Sequence, residues 1–197
     1  MNTKNKSLIE ELRKKVFRNP QSSDTELMEL SQFFMAKEYR RNEFLVREGE
    51  RWNKVFFIHK GILRLFYMDK KGREFNKGFF QEGQFVWPIA PSAQKEDSLF
   101  SIAAVEDMEL SVCLFDPFCS WLKQHHYWDK FALSEVEAFV EQKFVREHEF
   151  LMYSATERYH SFCAQYPGLV KRVPDYHLAS YIGISNVSLS RIKNASF

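Results

Sequence analysis

Cysteine is scarce in this chain: Cys113, Cys119 and Cys163 are the whole set, widely spaced and with no C-x-x-C pair. That excludes a disulfide framework and an iron–sulfur cluster, fits a reducing cytoplasm, and leaves the three thiols as small buried hydrophobes. No stretch of eighteen apolar residues occurs, so no membrane span is expected. The opening segment MNTKNKSLIEELRKKVF spreads its charges along an amphipathic pattern instead of placing a basic start before an apolar block, and it does not read as a signal peptide. Histidine is equally thin where a metal-binding barrel would need it. Before residue 120 only His59 is present, with no H-x-H pair, which excludes a cupin-like metalloenzyme; no catalytic residue, metal or cofactor is predicted. Neither an internal repeat nor a low-complexity linker is visible.

What is present is an ordinary folded composition, 45% hydrophobic and 27% charged over 197 residues, with a formal net charge of +2. The charge is unevenly placed. From Arg158 onward Arg158, Lys171, Arg172, Arg191 and Lys193 face one acid, Asp175, so this piece carries +4 and residues 1–157 carry −2. A basic module on a near-neutral body suits contact with phosphate.

Hydrophobic periodicity divides the chain into three parts, expected at 1–122, 123–155 and 156–197. Leu8, Ile9, Leu12, Val16 and Phe17 fall at helical spacing before a stop at Asn19-Pro20, and a second short helix is expected from Asp24 with Leu27, Met28, Leu30, Phe33 and Phe34 near one face. The period then shortens. Apolar or alternating runs at 44–46, 55–58, 62–67, 75–80, 84–87, 99–105 and 108–115 are separated by turn signals such as Glu48-Gly49, Lys60-Gly61 and Glu82-Gly83. This predicts an antiparallel double-sheet roll within an α+β fold. From Pro117 the helical period returns, first in a short helix to Leu122 and then in a long one from near Asp129 to about Tyr153. Phe131, Leu133, Val136, Phe139, Val140, Phe144 and Leu151 form its broad apolar stripe, of which Leu133, Val136, Val140 and Phe144 are assigned to pairing with a second copy.

The sharpest local signal is VPDYHLASYIGISNVSLSRIKN, residues 173–194. Pro174 is placed to open a helix, Leu178, Ala179 and Ile182 to face inward, and Gly183 to permit a tight turn. Ile184 plugs the angle between two helices, and Ser185 caps the second, which buries Leu189 and Ile192. Two short helices around a Gly-containing turn make a helix-turn-helix, whose second helix enters the DNA major groove. Ser185, Asn186, Val187, Ser188, Ser190, Arg191 and Lys193 are the candidate DNA-contacting residues: Asn and Arg pair bidentately with adenine and guanine edges, Val meets a thymine methyl, and Ser donates to phosphate or base.

Taken together, these features resemble the cyclic-AMP receptor/Fnr (Crp/Fnr) family of bacterial transcription factors, and LASYIGISNVSLSRIKN is similar to that family's helix-turn-helix signature. The resemblance spans nearly the whole chain and implies a cyclic-nucleotide-binding-like jelly roll, a long dimerisation helix and a DNA module. It also implies a cytoplasmic homodimer on an inverted-repeat operator, with double-stranded DNA, RNA polymerase and a small-molecule effector as partners. The family's base-reading positions fall near Asn186, Val187 and Arg191; its Arg-Glu pair is replaced by Asn186 and Val187, so a different operator is expected. The chain also shows no evident full wing after Asn194. In the segment GQFVWPIAPSAQKEDSLFSIAAVEDMEL, Pro88 stands where the family's ribose-binding glutamate belongs and Asp97-Ser98 where its phosphate-binding Arg-Ser belongs. Proline has no carboxylate for a sugar hydroxyl, aspartate repels phosphate, and Lys95 is a point charge without the guanidinium fork. Cyclic AMP is therefore not expected as the ligand. Phe85, Trp87, Pro88, Asp97, Ser98 and Phe100 mark the expected effector pocket, with Phe80 and Ile89 nearby. His59, His125 and His126, the possible axial ligands of a haem sensor, read as surface histidines because no second ligand accompanies them. The competing function on the same fold is a protein-interaction module with weak or lost DNA binding.

Overall fold

The computed structural model describes residues 3–16 and 24–195. Helices α1 (Thr3–Val16) and α2 (Asp24–Ser31) lead into eight strands: β1 (Met35–Tyr39), β2 (Phe44–Val46), β3 (Lys54–Lys60), β4 (Leu63–Met68), β5 (Glu74–Phe80), β6 (Phe85–Val86), β7 (Ser101–Ala104) and β8 (Met108–Leu114). The short helix α3 (Pro91–Lys95) interrupts them between β6 and β7. Phe17 and Asn19-Pro20, expected to finish the first helix, lie outside the described residues.

The strands form two four-stranded antiparallel sheets, ordered β1-β8-β3-β6 and β2-β7-β4-β5, the double-sheet roll that the spacing of turns predicted. Inward side chains from both sheets, including Phe56, Ile58, Leu63, Leu65, Ile102 and Leu110, make the sandwich core. Each such buried apolar side chain contributes roughly 1.5–3 kcal/mol. Strand β1 was not foreseen. Its outward burial pattern leaves Met35, Lys37 and Glu38 exposed, so no alternation betrays it, and pairing with β8 alone holds it in place. A turn was expected over residues 88–94; instead Pro91 opens the five-residue helix α3, which buries no residue.

Beyond the roll come α4 (Phe115–Gln124) and α5 (Trp128–Met152), close to the bounds expected for the long helix. A second core joins α1, α2, α4 and the start of α5 to the outer face of β3, through Leu8, Leu12, Val55, Phe57, Phe118 and Phe131. The apolar stripe of α5 divides in two. Phe131 and Val136 pack inward on this core, whereas Leu133, Val140, Phe144 and Leu151 remain exposed, Leu151 by 76%. Val136 therefore does not belong to the outward seam assigned from the sequence: at helical pitch it lies on the side that covers α1.

The chain ends in α6 (Ala155–Gln165), α7 (Pro167–Val170), α8 (Asp175–Ile182) and α9 (Asn186–Ala195). Ser154 and Glu157 close a capping box that starts α6. Pro167 opens α7 instead of only ending α6, and Pro174 sits at the cap before α8, its ψ of 142° still extended. A third core runs from the roll into these helices, joining Ile62, Phe79 and Val105 to Phe162, Leu169, Leu178, Tyr181, Ile182 and Leu189. Among the described residues, no helix is long and apolar enough to cross a membrane.

Candidate nucleic-acid interface and ligand cavity

The α8–turn–α9 unit has the two short helices expected from the residue pattern, with Ile192 half-buried where burial was expected. Leu178, Ala179, Ile182 and Leu189 are buried, and Ile184 packs half-buried against the same cluster. Gly183 adopts φ 74° at the end of α8, a left-handed conformation that strains any residue with a side chain. A Cβ there would also stand 2.5 Å from Cε1 of Phe150 on α5, so that ring would have to move to admit one. The backbone N–H of Ser188 donates to Ser185 Oγ at 3.0 Å, and the two hydroxyls lie 2.8 Å apart, which caps α9.

Asn186, Val187, Ser190 and Arg191 are exposed along the outer side of α9, Val187 by 61%. Arg191 has no ion-pair partner among the described residues. The other predicted contacts are partly committed. Ser185 and Ser188 serve the cap, and Lys193 pairs with Asp175 on α8, which draws its ammonium toward the first helix. The basic surplus of this piece is also smaller in space than in sequence: Arg172 forms ion pairs with Glu82 and Glu106 of the roll. Burial pushes the Glu82 carboxyl up, but hydrogen bonds from the Arg172 guanidinium and from the backbone N–H groups of Glu82 and Gly61 outweigh it and hold this group at about 2.

A polar junction that the residue pattern did not announce fastens α8 to the roll. Strand β5 is the last of its sheet, so one side of its backbone would be left open. Ser180 covers it, accepting from Asn76 N at 2.9 Å and donating to the Glu74 carbonyl at 2.8 Å. Arg146, on α5, donates to Asn76 O at 3.4 Å and to Tyr181 O at 2.9 Å, so its charge also meets the negative end of α8. Beneath them Arg64 is bidentate to Glu74 at 2.6 and 3.0 Å and lies over the Phe66 ring. Asn76 Nδ2 faces His177 Nδ1 at 3.4 Å. Burial lowers His177 to about 4, and the guanidinium groups of Arg64 and Arg41 add to this against the opposing pull of Glu74. The one available clue was Arg64, a charged residue between Leu63 and Leu65: on a solvated sheet face it would be ordinary, and although Glu74 and Asn76 lie on the neighbouring strand, His177 and Ser180 come from over a hundred residues away from Asn76.

Of the expected effector residues, Phe85, Trp87 and Phe100 line a cavity of about 80 Å³ between the roll and α5, closed on the helix side by Phe139. Pro88, Asp97 and Ser98 do not line it. Pro88 is buried with its carbonyl accepting from Gln94 Nε2 at 2.9 Å, Ser98 Oγ donates to Phe100 O at 2.7 Å, and Asp97 is exposed at an isolated bridge with Arg51. Trp52, Leu65, Lys77 and Ala93 also line the wall and were missed, because they come from separate elements, the loop before β3, β4, β5 and α3. His59 is half-buried rather than a free surface group, its ring nitrogens within 2.9 Å of Ser7 Oγ and 2.7 Å of Ser111 Oγ. Cys113 and Cys119 are buried and Cys163 half-buried; burial pushes the Cys113 thiol up, consistent with an inert packing role.

Residues 36–125 match the family model of the cyclic nucleotide-binding domain. No curated protein matches the sequence. Among solved structures, the chain is similar to the c-di-GMP-responsive global regulator CLP of Xanthomonas campestris, with a TM-score of 0.71 at 12% identity over 88% of this chain and 91% of that one. A protein of Eubacterium rectale described as a transcriptional regulator of the Crp/Fnr family gives 0.69 at 12% over 88% and 83%. FixK2 of Bradyrhizobium japonicum gives 0.65 at 14% over 82% and 83%. At these identities the likeness is one of fold: an antiparallel roll of the cyclic nucleotide-binding type followed by a long helix.

Proposed function

We propose that this protein is a cytoplasmic, Crp/Fnr-type transcription regulator that binds an inverted-repeat operator as a homodimer and answers to an effector other than cyclic AMP. Residues 1–122 receive the effector, 123–155 pair the two copies, and 156–197 bind DNA. The observation that carries this reading is the outer side of α9. Asn186, Val187, Ser190 and Arg191 stand exposed there on a helix whose other side is held by Leu189 and whose entry is fixed by Gly183 and Ser185. Asn186 and Arg191 read base edges, and Val187 supplies an apolar contact.

Pairing of copies is supported by the outward stripe of α5. Leu133, Val140, Phe144 and Leu151 follow one another at seven, four and seven residues, the repeat of a two-helix seam, and they are exposed in the single chain. In such a dimer the two α9 helices must meet successive major grooves about 34 Å apart. The α8–roll junction makes that spacing depend on how α5 sits, because Arg146 of α5 touches both β5 and α8.

The pairing of Arg172 and Lys193 with carboxylates favours a second reading, a protein-interaction module, by reducing the free positive charge. A gel shift on selected genomic fragments over a salt series separates the two. Groove binding with phosphate contacts gives affinity that falls steeply and linearly on a log–log plot of affinity against salt. Affinity that is weak and indifferent to salt supports the interaction module.

A further inference from the structure

The cavity between the roll and α5 differs in kind from a nucleotide site. Its wall presents the rings of Trp52, Phe85, Trp87, Phe100 and Phe139, and Lys77 is the one charged residue in it. The Lys77 ammonium lies 3.9 Å from the centroid of Phe100 and 5.1 Å from that of Tyr67, held by ring faces, and among the described residues no carboxylate pairs with it. Trp52 and Trp87 are buried, 4% and 2% exposed, and neither indole N–H has an acceptor among the described residues. A buried donor without an acceptor carries a desolvation cost that a ligand oxygen would remove, and a cation beside apolar walls is stabilised by an anion brought to it. The cavity, about 80 Å³, is far below the roughly 300–1,000 Å³ of sites for drug-sized ligands. One ring fits this scale and a nucleotide does not.

We propose that this cavity binds a small aromatic carboxylate, its ring between Trp87, Phe100 and Phe139 and its carboxylate at Lys77. The indole donors of Trp52 and Trp87 are the other groups able to receive its oxygens. The inference rests on the regulator reading only in treating the occupant as the effector; binding itself does not require DNA. Positive charge gathers behind Lys77. Lys143 donates to the Lys77 carbonyl at 3.1 Å, and burial, with Arg146 and Lys77 as neighbours, lowers it to about 8. An arriving anion relieves that crowding.

The route from the cavity outward is short. Lys77 and Asn76 are adjacent on β5, one turned to the cavity and the other to α8, while Phe139 of the cavity wall precedes Val140 of the outward α5 stripe. A ligand that draws Lys77 inward thus acts on the strand that docks α8 and on the helix that pairs two copies.

The test is calorimetric titration of the full chain, without DNA, with benzoate, with its neutral counterpart benzamide and with cyclic AMP, followed in parallel by tryptophan fluorescence. Saturable benzoate binding at least tenfold tighter than benzamide, with no cyclic AMP binding, is expected. Lys77→Met should abolish the preference for benzoate over benzamide, and Ala93→Phe, which fills the cavity, should abolish binding of both; thermal melts establish that each variant is folded. No benzoate binding at millimolar concentration, equal benzoate binding by Lys77→Met, or tight binding of cyclic AMP overturns the assignment. A protein that binds benzoate through Lys77 and shifts no DNA keeps this ligand class and sinks the regulator reading instead.

Discussion

The two sides of strand β5 have been given opposite chemistry. Toward α8, Glu74 and Asn76 enter a network in which Arg64, Ser180, His177 and Arg146 supply the partners that the edge of the sheet would otherwise take from water. Toward the roll interior, among the described residues, the Lys77 ammonium meets rings and no carboxylate, and two indole N–H groups in the same wall have no acceptor. The first side finds most of its partners within the chain, with only Arg64 Nε and Arg146 Nε left without one among the described residues; the second gathers a cation and two donors that find none there. Rigidity and response are thus built in different places: the polar junction fixes α8 to the roll, and the apolar cavity beside it is where the proposed ligand would change the balance.

Breaking the junction should have the largest effect. Arg64→Leu leaves Glu74 without its bidentate partner and opens the contact beneath α8. Removing one member of a buried pair costs roughly 3–5 kcal/mol, and because Glu74 is about one-third exposed the expected loss is nearer ~3 kcal/mol. Chemical denaturation should show it, with the C-terminal helices losing protease protection before the roll. A variant that unfolds at the wild-type midpoint would mean that the junction is decoration.

Gly183→Ala comes next. The left-handed backbone costs a residue with a Cβ about 1–2 kcal/mol, and Phe150 must move from the 2.5 Å approach, so thermal melting should fall and specific DNA binding should be lost with it. A smaller, reversible break comes from acid. His177 is held at about 4 in the fold against 6.5 when free, so it stays neutral inside while the unfolded chain takes up a proton. Its contribution is fully present above pH 6.5 and is lost as pH falls from there to about 4; by pH 5.5 the loss is roughly 1 kcal/mol. His177→Gln should flatten the stability profile in that window when unfolding is measured at successive pH values, and an unchanged profile would assign the acid sensitivity to other groups.

Much of this architecture is legible along the chain because its signals are local. Turn pairs such as Lys60-Gly61 mark the strand ends, and Gly183 and Ser185 announce the turn and cap of the α8–α9 unit. What was not legible depends on distant partners. Strand β1 has an exposed pattern and is fixed by β8 alone. Val136 carries the same apolar label as Val140 but falls on the inner side of α5. Lys193 looks free until Asp175 is brought across from α8, and Arg172 until Glu82 and Glu106 arrive from the roll. At the cavity, Pro88, Asp97 and Ser98 were expected in the wall and do not line it. The wall itself was only half visible, because Lys77 and Phe139 approach from a strand and a helix sixty residues apart.

Whether the outer side of α9 reads DNA is decided by genome-wide selection of DNA fragments with the purified protein, with Arg191→Ala alongside. Arg191 is exposed and makes no ion pair among the described residues, so the variant should melt within about 0.5 kcal/mol of the parent. Recovery of one inverted repeat is expected, which Arg191→Ala loses or relaxes at a single position in each half-site, by about 1–3 kcal/mol. An inverted repeat bound equally by parent and variant, or no enriched sequence from a folded dimer saturated with its cavity ligand, would contradict it.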